Sequence, residues 1–359
     1  MTALTPLEPF VKLADPATYQ ACRWDMRVDH EAREYWVKFF KKHIETILAL
    51  GIAAATRAGE SNESAIARSD ACRAEFVATY DRFAADPVGF ERAGDVRVTM
   101  LTLDEWRDQL LRKHGFVDAF VDLKQDENES VINLLPQVCK QLDALDGLEQ
   151  FRAAIEGVFA GNIFDMGAAG SAQLLLEGKL DFFATRKKLA ARPWLVDDFD
   201  AFAAKAVGGA WRKVVFFVDN AGSDFLLGAV PLMRWFAQRG GRVVLAANER
   251  PTLNDMTVHD VRRWWPRVLE LEPSIADLPI EIVSTGTGEP LIDLAGVSPA
   301  LNAAAADADL VVVEGMGRGV ESNLDAAFNC DAANLAMIKD HMIAKRLNGK
   351  LYDVVCRFR

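Results

Sequence analysis

Val214-Val215-Phe216-Phe217-Val218-Asp219-Asn220-Ala221-Gly222-Ser223-Asp224 decides the reading of this chain. Its first five residues, all β-branched or aromatic, run straight into an acid and an amide at a turn. An unbroken apolar run bounded by turn residues reads as a strand buried on both faces. In open α/β sheets, ligands bind outside the carboxyl ends of such strands. A second run, Val243-Val244-Leu245-Ala246-Ala247, opens into Asn248-Glu249-Arg250-Pro251-Thr252-Leu253-Asn254-Asp255, so a further carboxylate and two more amides reach the same edge.

Working outward, strands are predicted at 214–218, 242–247, 280–284, 310–313 and 351–356, with helical segments between them. That alternation implies βαβ units and a mainly parallel, Rossmann-like α/β sheet. Pro231 interrupts the helical stretch from Ser223 to Gln238, where a kink or a split helix is expected. Earlier in the chain the period is helical: Tyr35, Phe39, Phe40, Ile44, Ile47 and Leu48 make one stripe. Phe76, Tyr80 and Phe83 make a second that stops near Pro87, and Trp106, Leu110 and Leu111 a third. The expected division is a helical portion over 1–205 and an α/β metal-binding domain over 206–359. The polar, acidic stretches 58–64 and 124–130 read as loops or helix starts rather than sites.

With 359 residues, half of them apolar, the chain can bury a large core. A formal charge of −11 argues against nucleic acid or an anionic membrane as the main partner. The five cysteines, Cys22, Cys72, Cys139, Cys330 and Cys356, form no C-x-x-C and fit reduced thiols. The first residues show neither a basic nor an apolar leader region, and no apolar stretch is long enough for a bilayer. A soluble cytoplasmic protein is the expectation, with its oligomeric state open.

Asp219 and Asp255 lie 36 positions apart, about one strand–helix–strand step, so neighbouring strand ends would bring Asp219, Asn220 and Asp255 together. An all-oxygen set of this kind suits a hard divalent cation such as Mg²⁺ or Mn²⁺, with Co²⁺ or Ni²⁺ as further candidates, and leaves coordination positions open. The competing reading makes Asp219 and Asp255 helix caps and Asn220 an Asx-turn. Glu314-Gly315-Met316-Gly317-Arg318-Gly319 follows the strand Leu310–Val313. Its glycines would let backbone N–H groups approach an oxyanion, with Arg318 adding a charged fork. Thr285-Gly286-Thr287-Gly288 is a further polar loop; Asn162 and Asp165, three apart, could reach a site from the helical portion, and Lys339 could neutralise a phosphate.

Taken together, Val218 to Asp224, Ala246-Ala247-Asn248-Glu249 with Asn254-Asp255, Phe159 to Asp165, Arg192-Pro193-Trp194 and Val313 to Gly319 resemble the metal-dependent damage-control phosphatase family. The pantetheine-linked branch is the nearest in pattern, and the similarity runs from about residue 19 to the closing Gly349-Lys350-Leu351-Tyr352-Asp353. The resemblance implies a three-layer α/β/α phosphatase domain with a helical N-terminal part. It also implies a divalent metal on Asp219, Asn220 and Asp255, and hydrolysis of a small phosphorylated metabolite, 4′-phosphopantetheine or its damaged, oxidised forms. Asn162, Asp165, Glu314, Gly315, Arg318 and Lys339 match positions around substrate or phosphate. No kinase half is expected ahead of the domain. Two departures, Ser284 to Gly288 and Gly167-Ala168-Ala169-Gly170, fall where substrate would be selected. Two other classes compete: a methyltransferase using S-adenosylmethionine, opposed by the lack of a G-x-G turn after the first strand, and a noncatalytic binding protein on the same fold.

Overall fold

The apolar runs form a seven-stranded sheet in the order β1-β7-β6-β5-β2-β3-β4. The computed structural model describes residues 6–90, 97–164, 182, 186, 189 and 191–359. The strands are β1 (Val196–Asp197), β2 (Lys213–Phe217), β3 (Arg242–Ala247), β4 (Ile280–Ser284), β5 (Leu310–Glu314), β6 (Asp331–Met337) and β7 (Val354–Phe358). Every pairing is parallel except β6 with β7. The helices, in chain order, are α1 (His30–Arg57), α2 (Asn62–Ala85), α3 (Met100–Lys113), α4 (Val121–Val131), α5 (Leu135–Asp143), α6 (Gly147–Phe164), α7 (Phe199–Val207), α8 (Val230–Gln238), α9 (Val258–Leu271), α10 (Pro299–Ala305) and α11 (His341–Arg346).

Contacts divide the chain into two units: a sheet unit of residues Met1–Ala21, Leu123–Arg250 and Asn254–Arg359, and a helical unit of Cys22–Asp122 with Pro251–Leu253. The division differs from the 205/206 boundary expected from the change of period. Helices α5 to α7 pack in the sheet unit because their apolar faces, Leu135, Phe151, Phe159, Phe199 and Phe202, share one core with Val214, Phe216 and Val218. Alternate residues of the same strand, Val215 and Phe217, point into a second core with Phe10, Leu294, Leu301 and Val311. Both faces of the sheet are therefore covered, which is why β2 and β5 read as continuous apolar runs. The chain's first described segment belongs here too: Glu8 bridges to Val297, Leu13 to Phe328, and the Val11 N–H donates to Asn302 Oδ1 at 2.8 Å.

Four predicted strands match within a residue at either end, the fifth is corrected, and β6 was not predicted. The run at 351–356 begins the last strand three residues early, since Tyr352 sits at φ 68 in a turn and pairing starts at Val354. β6, Asp331-Ala332-Ala333-Asn334-Leu335-Ala336-Met337, carries no β-branched or aromatic residue, so its sequence gives no strand signal. It is a strand because it pairs on both sides, and buried Asn334 has a partner there: its Nδ2 donates to Gly319 O at 2.8 Å. At Pro231 the expected split occurs. Asp224–Ala229 winds as a wider π-helical turn, and α8 then starts at Val230 with Pro231 in its first turn, where no N–H is required. The stretch 124–130, read as a loop or a helix start, lies within α4.

Within the helical unit, Phe40, Phe76 and Tyr80 stack, with Phe76 and Tyr80 ring centroids 4.3 Å apart. Arg107 is buried between two carboxylates: Nε donates to Asp108 Oδ1 at 2.7 Å, Nη1 to Asp104, and Nη2 to Thr252 Oγ1 at 3.2 Å. Burial, with Arg107 as a lesser cause, pushes the His43 imidazole down to about 4 from 6.5. Because the folded value is the lower one, the unfolded chain takes the proton first. His43 is therefore expected to favour folding above pH 6.5, with that stability lost as pH falls from 6.5 toward 4, by up to ~3 kcal/mol. Urea unfolding at pH 7 and pH 4.5, compared between the wild type and His43→Gln, checks this; an identical pH dependence in the two would exclude it. Among the described residues, no helix is long and apolar enough to cross a membrane.

Candidate functional site

The chain runs from β2 to β3 to β4 on one side and then returns to β5 on the other side of β2, so the crevice beyond β2 and β5 is a topological switch point. Asp219 follows β2, Asp255 lies in the loop after β3, and Glu314 ends β5. The loops are sewn together by backbone: Asn220 and Asp255 form an isolated antiparallel bridge, Ala221 N donates to Asn254 O at 2.9 Å and Met256 N to Asp219 O at 2.9 Å. Buried peptide groups need such partners, and here they fix the spacing of the side chains.

Asn220 Nδ2 donates to Asp219 Oδ2 at 2.8 Å and to Asp224 Oδ2 at 3.0 Å. Asn162, brought in by α6, donates Nδ2 to the same Asp224 oxygen at 3.0 Å. That approach needs Gly161, since a Cβ there would stand 2.7 Å from Ser223 O. Asn248 Nδ2 donates to Asp255 Oδ2 at 3.3 Å and to Glu289 O at 3.1 Å. Arg318 is fully buried among the acids, with Nε 3.2 Å from Asp219 Oδ1, Nη2 donating to Asp255 Oδ2 and Nη1 to Val218 O. The capping alternative fails on these contacts: α9 is capped by Thr257 and Asp260, and the Asp219 and Asp255 carboxylates accept from Asn220, Asn248 and Arg318 instead.

Two members of the glycine-rich stretch differ from expectation. The Gly315 N–H donates to Leu335 O at 3.0 Å and is held in the sheet rather than offered to an oxyanion. Gly315 serves by lacking a side chain, at φ 94 with the place of a Cβ 2.0 Å from Asp219 Oδ2. The Arg318 fork, read as a phosphate contact, grips the two carboxylates because a fully buried guanidinium needs anions beside it. Thr285 and Thr287 are buried, with their hydroxyls 3.2 Å apart. Lys339 is half-buried and its charge acts on Asp219. Asp165 and Gly167 to Gly170 lie outside the described residues.

Sequence reasoning gave Asp224 no part in the site, and it brought Asn248 to the same edge without assigning it a role. Each immediately follows, or closes the turn after, a buried strand at the carboxyl edge, which was the available signal. Asp219, Asp224, Asp255 and Glu314 are each less than a tenth exposed, against one buried guanidinium. Burial first, then the neighbouring Asp255, raises the Asp219 carboxyl well above the usual carboxylate range; burial and then Asp224 raise Glu314. Asn162 Oδ1 and Asn248 Oδ1 are buried without a hydrogen-bond partner. A surplus of buried negative charge together with orphaned oxygens fits an oxygen-bound cation. Among the described residues, no three His, Cys, Asp or Glu side chains group so as to hold a metal ion by themselves.

The sequence profile of the damage-control phosphatase ARMT1-like domain matches residues 58–355. A damage-control phosphatase of Arabidopsis thaliana is 41% identical over 70% of this chain and 70% of its own length. Pantothenate kinase 2 of the same plant is 37% identical over 98% of this chain, which spans 42% of that relative's length. A 4′-phosphopantetheine phosphatase of Mus musculus is 26% identical over 98% of the chain and 48% of its own length. In fold, the chain resembles a DUF89 family protein from Pyrococcus horikoshii, with a TM-score of 0.63 and 18% identity over 89% of this chain and 96% of that one.

Proposed function

This chain belongs to the damage-control phosphatase family with the ARMT1-like domain, and from that premise we propose that it is a divalent-metal-dependent hydrolase of small phosphate monoesters, with 4′-phosphopantetheine or its oxidised forms as substrates. The carrying observation is the pairing of two buried carboxylates, Asp219 and Asp255, with the buried Arg318 guanidinium at the switch point, with Asp224 and Glu314 buried close to them. The substrate class draws on the match to the mouse 4′-phosphopantetheine phosphatase, which covers 98% of this chain and 48% of that protein. Five thiols without a disulfide suit a reducing, cytoplasmic setting.

Asp219, Asn220 and Asp255 would hold the cation. When bound, it supplies positive charge that polarises a phosphoryl group and makes water more acidic. The protein's own part is positional. Asn220 and Asn248 have their amide nitrogens committed to carboxylates, which fixes the amide orientation and leaves the Asn248 oxygen without a partner. Arg318 holds Asp219 and Asp255 at a set separation, and Lys339 places a second cation near Asp219 for a substrate oxyanion. Positioning and charge stabilisation suffice for phosphoryl transfer, whose transition state needs little covalent assistance.

The test is chelation followed by return of Mg²⁺, Mn²⁺, Co²⁺ or Ni²⁺, with 4′-phosphopantetheine and a general phosphomonoester as substrates. Hydrolysis is expected at background after chelation and restored by metal; turnover indifferent to chelation would remove the cation from the reading. Gly315→Ala is a second check. The new methyl group collides with Asp219 Oδ2, and displacing a reactive group by about 1 Å costs on the order of 10²-fold in kcat. A folded variant with kcat within twofold of wild type would show that this close approach does not matter.

A further inference from the structure

Helix α4 buries a polar face where its sequence, Val121-Asp122-Leu123-Lys124-Gln125-Asp126-Glu127-Asn128-Glu129, suggests solvent. Lys124, Glu127 and Asn128 are 2%, 8% and 0% exposed, and their spacing of three and four puts them on one side of the helix. Burying such groups is costly unless they are partnered, so their partners indicate what the helix is for.

Asn128 reaches both loops of the candidate site. Its Oδ1 accepts from Gly222 N at 2.8 Å, between Asn220 and Asp224, and its Nδ2 faces Met256 Sδ at 3.8 Å, next to Asp255. Gly222 sits at φ 73 with the place of a Cβ 3.1 Å from Glu127 Cβ, so the first loop is pressed onto this face. Lys124 Nζ donates to Asp260 Oδ2 at 2.7 Å. The same oxygen accepts from Thr257 Oγ1 at 2.7 Å and Thr257 N at 3.1 Å, two residues beyond Asp255.

We propose that α4 is the positioning element of the site: Asn128 and Lys124 act through Gly222 and Thr257 to set the gap between Asp219–Asn220 and Asp255, and so the affinity for the cation. The inference rests on the cation reading above. It assigns no contact with substrate to either residue. A partner one step removed from metal ligands typically changes metal affinity by about 10–100-fold when lost.

The experiment is titration of Mn²⁺ into the metal-free full chain, with free Mn²⁺ read by electron paramagnetic resonance and folding by circular dichroism. Asn128→Leu and Lys124→Met are each expected to weaken Mn²⁺ binding by about 10-fold or more in a folded protein. Asn128→Asp, which keeps the acceptor for Gly222 N–H, is expected to recover most of the Asn128→Leu loss. Binding within twofold of wild type in either folded loss variant overturns the proposal, even if the melting temperature falls. If Asn128→Leu does not fold, Lys124→Met, which leaves the Gly222 bond intact, decides the matter alone. A wild-type chain that binds no Mn²⁺ overturns the cation reading itself and this inference with it, an outcome distinct from wild-type binding that the variants leave unchanged.

Discussion

Asp219→Asn is expected to lower kcat/KM toward a phosphomonoester by about 10²–10³-fold, the range lost when one preorganised charge-stabilising group is removed. The same variant is expected to raise the melting temperature of the chelated protein. Asp219, Asp224, Asp255 and Glu314 are buried close to the Arg318 guanidinium, and burial plus Asp255 already holds the Asp219 carboxyl toward its protonated form. An amide of the same shape relieves that repulsion, a gain of ~1 kcal/mol or a few degrees. Kinetics with added Mn²⁺ and thermal melts in chelator measure the two effects separately. A variant less stable than wild type in chelator would show that Arg318 needs both carboxylates more than the carboxylates repel one another.

In the helical unit the largest expected effect is on stability. Arg107→Met should cost about 3–5 kcal/mol, because it leaves Asp104 and Asp108 buried with no guanidinium between them. Replacing all three charges with apolar residues would cost less, since the penalty comes from stranding charge rather than from losing attraction. Urea unfolding of Arg107→Met, and of a triple Asp104→Leu/Arg107→Met/Asp108→Leu variant, distinguishes these cases. A loss below about 1 kcal/mol in the single variant would mean that water reaches the carboxylates.

The meeting of Asp219, Asn220 and Asp255 was legible in the sequence. An apolar strand read through its end residue shows where its polar successor emerges, and one βαβ step separates the two loops. The family was legible for a related reason, since three of its five motifs, Val218 to Asp224, Ala246 to Asp255 and Val313 to Gly319, sit at strand ends. The partner of Arg318 was not legible: a guanidinium beside glycines suggests a phosphate, and only burial shows that it faces two carboxylates. Strand β6 was hidden because alanines and Asn334 have no preference for a strand until neighbours pair on both sides. The polar face of α4 was hidden because a charged helix normally meets water. The 205/206 boundary misled because the helical unit lies between two stretches of one sheet unit, and a change of period along the chain cannot reveal that the chain returns.

The pairing of the first described residues with the other end of the chain bears on how the protein is made. Val11 waits for Asn302, 291 positions later, and Glu8 waits for Val297. At a ribosome adding about 5–20 residues each second, that interval is roughly 15–60 s. During it the segment lacks these partners, while Cys22 to Asp122 emerges with most of its partners nearby. The helical unit is thus expected to acquire protease resistance on the nascent chain well before the sheet unit, whose closure waits for Val297 and Asn302.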